Sequence, residues 1–161
     1  RTFIEPAQNI RSLGVKLKLS STKTIVKNKS IILIDDSLVR GTTCHKIIKM
    51  LYEAGANEVH VRIACPQIKF PDFYGVDMPT KEELLAHGKN INEMTKHIKA
   101  TSLKFLSLDG LYLALVGEKR NVIYPQFSDH YFTGDYPIKP SDKLKGLKVK
   151  QLSLLSGKSN S

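Results

Sequence analysis

Between Ile31 and Lys46 the chain reads IILIDDSLVRGTTCHK, and this stretch brings several chemistries together. Two adjacent carboxylates, Asp35 and Asp36, follow a short apolar run and could accept hydrogen bonds from a diol or face a divalent cation. The residues that follow offer the hydroxyls of Ser37, Thr42 and Thr43, the flexible Gly41 and a guanidinium, which are the parts of a phosphate cradle. A ribose phosphate carries both a diol and a phosphate, so the pattern indicates a phosphosugar site.

Each half of this pattern also has an ordinary structural explanation. An Asp-Asp pair after a strand is often a solvated turn, and Ser or Thr before a helix is most often a cap. Both halves together, within the nine residues from Asp35 to Thr43, favour a binding site. The sequence contains neither GxxxxGK[ST] nor GxGxxG, so the two common nucleotide-binding loops are excluded.

Local patterns predict the elements that must position this site. The run Ile31 to Ile34 is short, β-branched and unalternating, which is typical of a strand buried on both faces of a parallel sheet. Helical spacing begins at Thr43 and Gly55 is placed to end it, before a second strand from Glu58 to Ala64. This is a βαβ unit of the α/β class, and ligands in such sheets bind at the carboxyl ends of strands, where the acid pair lies.

Further elements follow toward the C-terminus. Thr80 and Glu83 predict a helix start with a capping box, and helical spacing continues to Ile98, with Gly88 and Asn90 as the points at which such a helix would break. Ser102 to Leu108 predicts a strand closed by Asp109 and Gly110, and Leu111 to Val116 a short helix.

The charge balance bears on the class of partner. The chain has 161 residues and a net charge of +10, which makes nucleic acid the first partner to consider. The charge divides into +6 over residues 1–30, −1 over residues 31–138 and +5 over residues 139–161. The central segment is therefore near neutral, and no nucleic-acid partner is expected for it.

Cysteine usage and hydropathy bear on the compartment. Cys44 and Cys65 have no CxxC spacing, so they give neither a disulfide framework nor a zinc ribbon. The longest apolar stretch is six residues, too short for a membrane helix. We expect a cytoplasmic protein with no membrane partner.

Several stretches together resemble one family. IDDSLVRGTT, from Ile34 to Thr43, is similar to the phosphoribosyl pyrophosphate (PRPP) motif of type I phosphoribosyltransferases. Its neighbours resemble the C-terminal part of the amidophosphoribosyltransferases, also called glutamine PRPP amidotransferases, and they read RTFIEP at residues 1–6, GVKLK at 14–18, FYGVDMPT at 73–80 and FTGDYP at 132–137. The resemblance implies part of a parallel-sheet type I phosphoribosyltransferase fold with a C-terminal extension.

The resemblance also implies roles for residues. Asp35 and Asp36 would hold the ribose hydroxyls and contribute to a Mg²⁺ site. The 5′-phosphate would be wrapped by the residues between them and the helix, namely Ser37, Leu38, Val39, Arg40, Gly41, Thr42 and Thr43. Arg1 would belong to a flexible loop and lead-in, residues 1–30, that closes over PRPP during catalysis. Residues 31–138 would be the C-terminal half of the transferase domain, and residues 139–161 a basic tail that we expect to be disordered.

Some members of the family carry an iron–sulfur cluster held by cysteines. The corresponding positions here are Asp72, Ser128 and Tyr131, so no iron–sulfur cluster is expected. Cys44 and Cys65 are interpreted as packing residues.

The leading hypothesis is a segment of an enzyme that transfers ammonia from glutamine to C1 of PRPP, giving phosphoribosylamine and pyrophosphate in purine biosynthesis. The full-length enzyme would be a homo-oligomer, and the chain would hold about half of one PRPP site. Two alternatives remain. One is a truncated, non-catalytic remnant with at most weak phosphosugar binding, and the other is a basic nucleic-acid module.

Overall fold

The structure is a computed structural model that describes residues 23–76 and 79–138. It contains a parallel sheet of three strands in the order β1 (Ser30–Asp35), β2 (Glu58–Ile63) and β3 (Ser102–Phe105). The helices are α1 (Lys23–Val26), α2 (Thr42–Glu53), α3 (Ile91–Ile98), α4 (Leu108–Val116) and α5 (His130–Thr133), with a 3₁₀ turn at Lys81–Glu83. The α/β class predicted from the sequence is confirmed.

The core lies on one face of the sheet, under α2 and α3. Central strand β2 alternates, with Val59, Val61 and Ile63 pointing into this core and His60 and Arg62 pointing to the other face. Both crossover helices lie on the same face because the strands follow each other in sheet order and parallel crossovers share one hand. The apolar stripes of α2 and α3 are thereby buried against the sheet.

The prediction that the first strand is buried on both faces is wrong for the described structure. Ile32 and Ile34 are 64% and 73% exposed, because no described element covers the face opposite α2 and α3. The unalternating run in the sequence therefore reflects a strand whose second apolar face stays open in this part of the chain.

Several element boundaries differ from the predictions. Packed structure begins before Ile31, since Val26 of α1 is buried in the core. Asp109 and Gly110 do not close β3 but form the first turn of α4, where the Ser107 side chain accepts a hydrogen bond from Gly110 N at 3.0 Å. The Thr80–Glu83 capping box is present, but the chain leaves the 3₁₀ turn at Leu84 and becomes helical again only at Ile91.

The domain boundaries proposed at residues 30 and 138 stay predictions. Arg1, most of the 1–30 lead-in and the 139–161 tail lie outside the described residues. Within the described part, no helix combines the length and the hydropathy that a membrane span requires.

Candidate functional site

The acid pair lies at the carboxyl end of β1. Asp35 is the last residue of the strand, and its Oδ1 accepts a hydrogen bond from Asp36 N at 3.0 Å. The Ser37 hydroxyl donates to Oδ1 of Asp36 at 2.8 Å. Neither carboxylate forms an ion pair with any residue in the described ranges. Burial raises the pKa of Asp35, although the Asp36 N–H partly offsets it, so a cation or hydroxyl donors would stabilise the ionised form.

The N-terminus of α2 lies next to this pair and is not capped. Its N-cap residue is Gly41, with φ of 77°, and no side chain in the described part of the chain accepts a hydrogen bond from the first turn. The first intrahelical bond runs from His45 N to Gly41 O, so the N–H groups of Thr42 and Thr43 have no acceptor among the described residues. Free amides and the positive end of the helix dipole together form an anion-binding surface.

The described residues of the predicted site line one cavity of about 420 Å³. Its lining includes the acid pair and every residue of the β1–α2 loop, which we define as residues 36–41, together with the start of α2. The lining residues named from the sequence are Asp35, Asp36, Ser37, Leu38, Val39, Arg40, Gly41, Thr42 and Thr43. Of the predicted site residues, only Arg1 is not placed there, since it lies outside the described residues.

The carboxylate oxygens at this cavity are suitable ligands for Mg²⁺. Carboxylate oxygens are the protein ligands that this cation prefers, and Mg²⁺ usually takes one or two of them together with water and substrate phosphates. In residues 23–76 and 79–138, no cluster of three or more His, Cys, Asp and Glu side chains is arranged to hold a metal. Asp35 and Asp36 are therefore suited to a cation that arrives with an anionic substrate.

The two cysteines do not contribute a nucleophile. Burial, with a smaller effect from the charge of Asp35, raises the pKa of the Cys44 thiol to about 11. Burial also raises the pKa of Cys65, which is half-buried after β2. Both thiols are protonated at neutral pH and pack against the core, in agreement with their interpretation as packing residues.

A larger hollow of about 990 Å³ lies elsewhere, around the start of α3. Lys69, Lys81 and Lys89 line this hollow, but side chains of the chain itself already cap the N-terminus of α3. The Asn90 side chain accepts from Glu93 N at 3.0 Å, and the Glu93 side chain accepts from Asn90 N at 2.8 Å. The uncapped N-terminus of α2 is therefore the better anion site.

Gly41 is required by both conformation and space. Its φ of 77° is in the left-handed region, and an added Cβ would lie 2.8 Å from Leu85 Cδ2 and 3.2 Å from Ile98 Cγ2. Gly41→Ala is expected to destabilise the fold by about 2–4 kcal/mol, from left-handed strain plus overpacking. Gly88→Ala is the matched control, because Gly88 has φ of 71° with nothing within 4 Å of the added Cβ. Urea denaturation should show the smaller loss for Gly88→Ala, and equal losses would contradict the packing argument.

A second polar cluster joins the segment after β2 to α5. The Asp72 carboxylate is fully buried and accepts four hydrogen bonds. Its donors are Tyr74 N at 2.8 Å, Val76 N at 2.7 Å, the Tyr131 hydroxyl at 3.0 Å and His130 Nε2 at 2.8 Å. The Ser128 hydroxyl lies 3.0 Å from the other ring nitrogen of His130. Asp72, Ser128 and Tyr131, the positions compared with cluster cysteines above, are thus brought together around one histidine.

This cluster predicts a specific response to acid. Burial would raise the pKa of Asp72, but the hydrogen bonds from Val76, His130, Tyr74 and Tyr131 outweigh it and lower the pKa from 3.8 to about 2. The carboxylate therefore stabilises the fold above about pH 4, and this contribution is lost as the pH falls toward about 2. Asp72→Asn should lower the urea midpoint at pH 7 and flatten its decline between these pH values. The exposed Glu118→Gln should leave the decline unchanged, and a wild-type decline in Asp72→Asn would contradict the assignment.

A third cluster fixes the chain after α4. Asp129 is buried, and its carboxylate accepts from Arg120 Nε, from Tyr112 OH at 2.8 Å and from Thr133 Oγ1 at 3.1 Å. Arg120 also donates to Asp135 at 2.8 Å. Sequence reasoning missed this cluster and the contact between Arg40 and Glu83, although the capping box had marked Glu83. Apart from Thr133, which follows Asp129 by four residues, the partners are too far apart along the chain for a local pattern to show them.

Comparison with known proteins identifies relatives of this arrangement. No protein-family model matches the chain. An amidophosphoribosyltransferase of Rhizobium etli is 54% identical over 157 residues, which are 97% of this chain and 32% of that protein. One from Staphylococcus epidermidis is 48% identical over 148 residues, or 92% of this chain and 30% of that protein. The chain thus spans about a third of the length of these curated relatives.

Solved structures agree with the sequence comparison. The glutamine PRPP amidotransferase from B. subtilis complexed with ADP and GMP is 39% identical, with a TM-score of 0.68 over 88% of this chain and 31% of that chain. A structure described as the allosteric regulatory enzyme of purine biosynthesis is 38% identical, with a TM-score of 0.62 over 88% of this chain and 30% of that chain. By sequence and by fold, this chain is therefore a segment of the amidophosphoribosyltransferase family.

Proposed function

We propose that this chain supplies the ribose- and 5′-phosphate-binding part of a PRPP site, in an enzyme that transfers ammonia released from glutamine to C1 of PRPP. The observation that carries the proposal is the cavity in which the acid pair meets the N-terminus of α2, the one without an ion-pair partner and the other without a side-chain cap among the described residues. The homology to amidophosphoribosyltransferases supports PRPP as the phosphosugar.

Different residues of the cavity contact different parts of the substrate. The carboxylates of Asp35 and Asp36 accept hydrogen bonds from the ribose hydroxyls and hold the side of the substrate that carries Mg²⁺. The amides of the β1–α2 loop and of the first turn of α2, with the hydroxyls of Ser37, Thr42 and Thr43, surround the 5′-phosphate. Asp35 and Asp36 would also help to hold Mg²⁺, which would offset the charge that develops on the pyrophosphate leaving group.

Catalysis in this half needs no nucleophilic side chain from the chain itself. The attacking group is ammonia, and the protein contributes by fixing the ribose at both ends and by aiming fixed dipoles at the phosphate. The raised pKa values of Cys44 and Cys65 agree with this role, because neither thiol is present as a thiolate. Closure by Arg1 and the 1–30 lead-in, the use of glutamine, and homo-oligomerisation of the full-length enzyme belong to the same proposal.

Calorimetry on the 161-residue chain tests the proposal. Ribose 5-phosphate and Mg-PRPP should bind with a stoichiometry of one, and unphosphorylated ribose should not bind. A chain extended to the length of its relatives should then form phosphoribosylamine from PRPP, Mg²⁺ and ammonium. Binding without turnover in the extended chain would favour the remnant hypothesis, and absence of binding to both phosphosugars would refute the proposed site.

A further inference from the structure

The β1–α2 loop is held by a segment more than forty residues further along the chain. Leu85 N donates a hydrogen bond to Val39 O at 2.8 Å, and the buried Leu85 side chain fills the space beside Gly41. The conformation of the loop therefore depends on contacts from this segment as well as on its own sequence.

An ion pair adds a second connection between the same two segments. Arg40 Nε lies 3.4 Å from Glu83 Oε1, and its NH2 group lies 3.5 Å from Glu83 Oε2. Two nitrogens of one guanidinium thus face two oxygens of one carboxylate, which restricts the orientation of Arg40. Arg40 lines the cavity and is the only cationic residue of the β1–α2 loop, so Glu83 influences where its charge lies.

Glu83 is itself fixed by the turn that carries it. Its Oε2 accepts a hydrogen bond from Thr80 N at 3.1 Å, and the Thr80 side chain completes the capping box. The Thr80 N–H, followed by the Arg40 guanidinium, lowers the pKa of Glu83, so the carboxylate is ionised at neutral pH. A charged group anchored in this way can position a partner, whereas a freely rotating surface carboxylate cannot.

We propose that Glu83 is a positioning residue for the β1–α2 loop: acting through Arg40, it holds the loop in the conformation that receives the 5′-phosphate. The identity of the ligand rests on the proposed function above. The role of Glu83 in fixing the loop does not rest on the proposed function, because it follows from contacts within the chain.

Glu83→Gln tests the hold, because glutamine can keep the capping bond to Thr80 N while losing the charge that pairs with Arg40. The Leu85 amide, bonded to Val39 O, reports loop opening through its hydrogen-exchange rate. An exposed ion pair contributes up to about 1 kcal/mol, so exchange should accelerate by up to about fivefold. Glu82→Gln is the matched control, because the neighbouring carboxylate forms no ion pair with Arg40 in the described structure. It should leave the rate unchanged.

A double-mutant cycle separates action through Arg40 from a local effect on the turn. Arg40→Gln should accelerate exchange at Leu85 as Glu83→Gln does, and the double variant should add little further. Rates that are unchanged in Glu83→Gln, or effects that simply add, would overturn the proposal.

Ligand binding gives an independent readout, with ribose 5-phosphate as the probe. Its dissociation constant should rise by up to about fivefold in Glu83→Gln and stay unchanged in Glu82→Gln. Tighter binding in Glu83→Gln would overturn the proposal, since Glu83 would then withhold Arg40 from the phosphate. If the wild-type chain binds no phosphosugar, the proposed function fails, and the exchange rate of Leu85 still decides the role of Glu83.

Discussion

Asp129→Ala is expected to lower the free energy of unfolding by about 3–5 kcal/mol, the range for breaking a buried ion pair by removing one partner. The side chains of Arg120 and Asp129 are only 11% and 4% exposed, so the arginine would keep a buried charge without its main partner. The Tyr112 hydroxyl would lose the nearer of its two acceptors as well. Urea denaturation followed by circular dichroism measures this loss.

Asp109→Ala is the control for this effect. Asp109 pairs with Lys119 at 3.6 Å, but both side chains are more than half exposed. Exposed pairs contribute about 0–1 kcal/mol, so this variant should unfold close to the wild-type midpoint. If Asp109→Ala and Asp129→Ala lose equal stability, burial does not determine the strength of the Arg120 cluster.

The second large effect is expected on binding. Changing Asp35 and Asp36 together to asparagine should weaken Mg-PRPP binding by roughly 10²–10⁴-fold, from the loss of charge-assisted hydrogen bonds of about 1.5–3 kcal/mol each. Stability should not fall in parallel, because burial raises the pKa of Asp35 and so disfavours its charged form in the fold. Calorimetry gives the affinity and urea denaturation gives the stability.

A charge-matched variant makes this test specific. Changing Glu53 and Glu118 to glutamine removes the same two charges from exposed positions outside the cavity. It should retain wild-type affinity for Mg-PRPP. Wild-type affinity in the Asp35 and Asp36 variant would show that the acid pair does not hold the substrate.

The sequence by itself determined the βαβ unit and the acid pair at the end of its first strand. Both depend on interactions between near neighbours: helical hydrogen bonds join residues four apart, and strand side chains repeat every two residues. The capping boxes at Thr80 and Asn90 are local for the same reason, although only the one at Thr80 was predicted. The assignment of Asp35 to Thr43 as ligands stays a prediction that the cavity supports.

Where local patterns failed, either the absence of a covering element or a competing local signal decided the structure. Ile34 looks like a residue buried on either face of a sheet, yet its exposure depends on which elements cover that face. Asp109 and Gly110 resemble a turn, but the Ser107 cap before them and the apolar run after them place them in the first turn of α4.

Only the tertiary structure decided which distant side chains meet. Glu83 reaches Arg40 across 43 positions, and His130 reaches Asp72 across 58. No periodicity spans such intervals, because these contacts depend on how the sheet and its crossover helices fold the chain back on itself. The residues that line the candidate cavity could therefore be predicted from neighbouring positions in the sequence, whereas the residues that position the β1–α2 loop and anchor α5 became visible only in three dimensions.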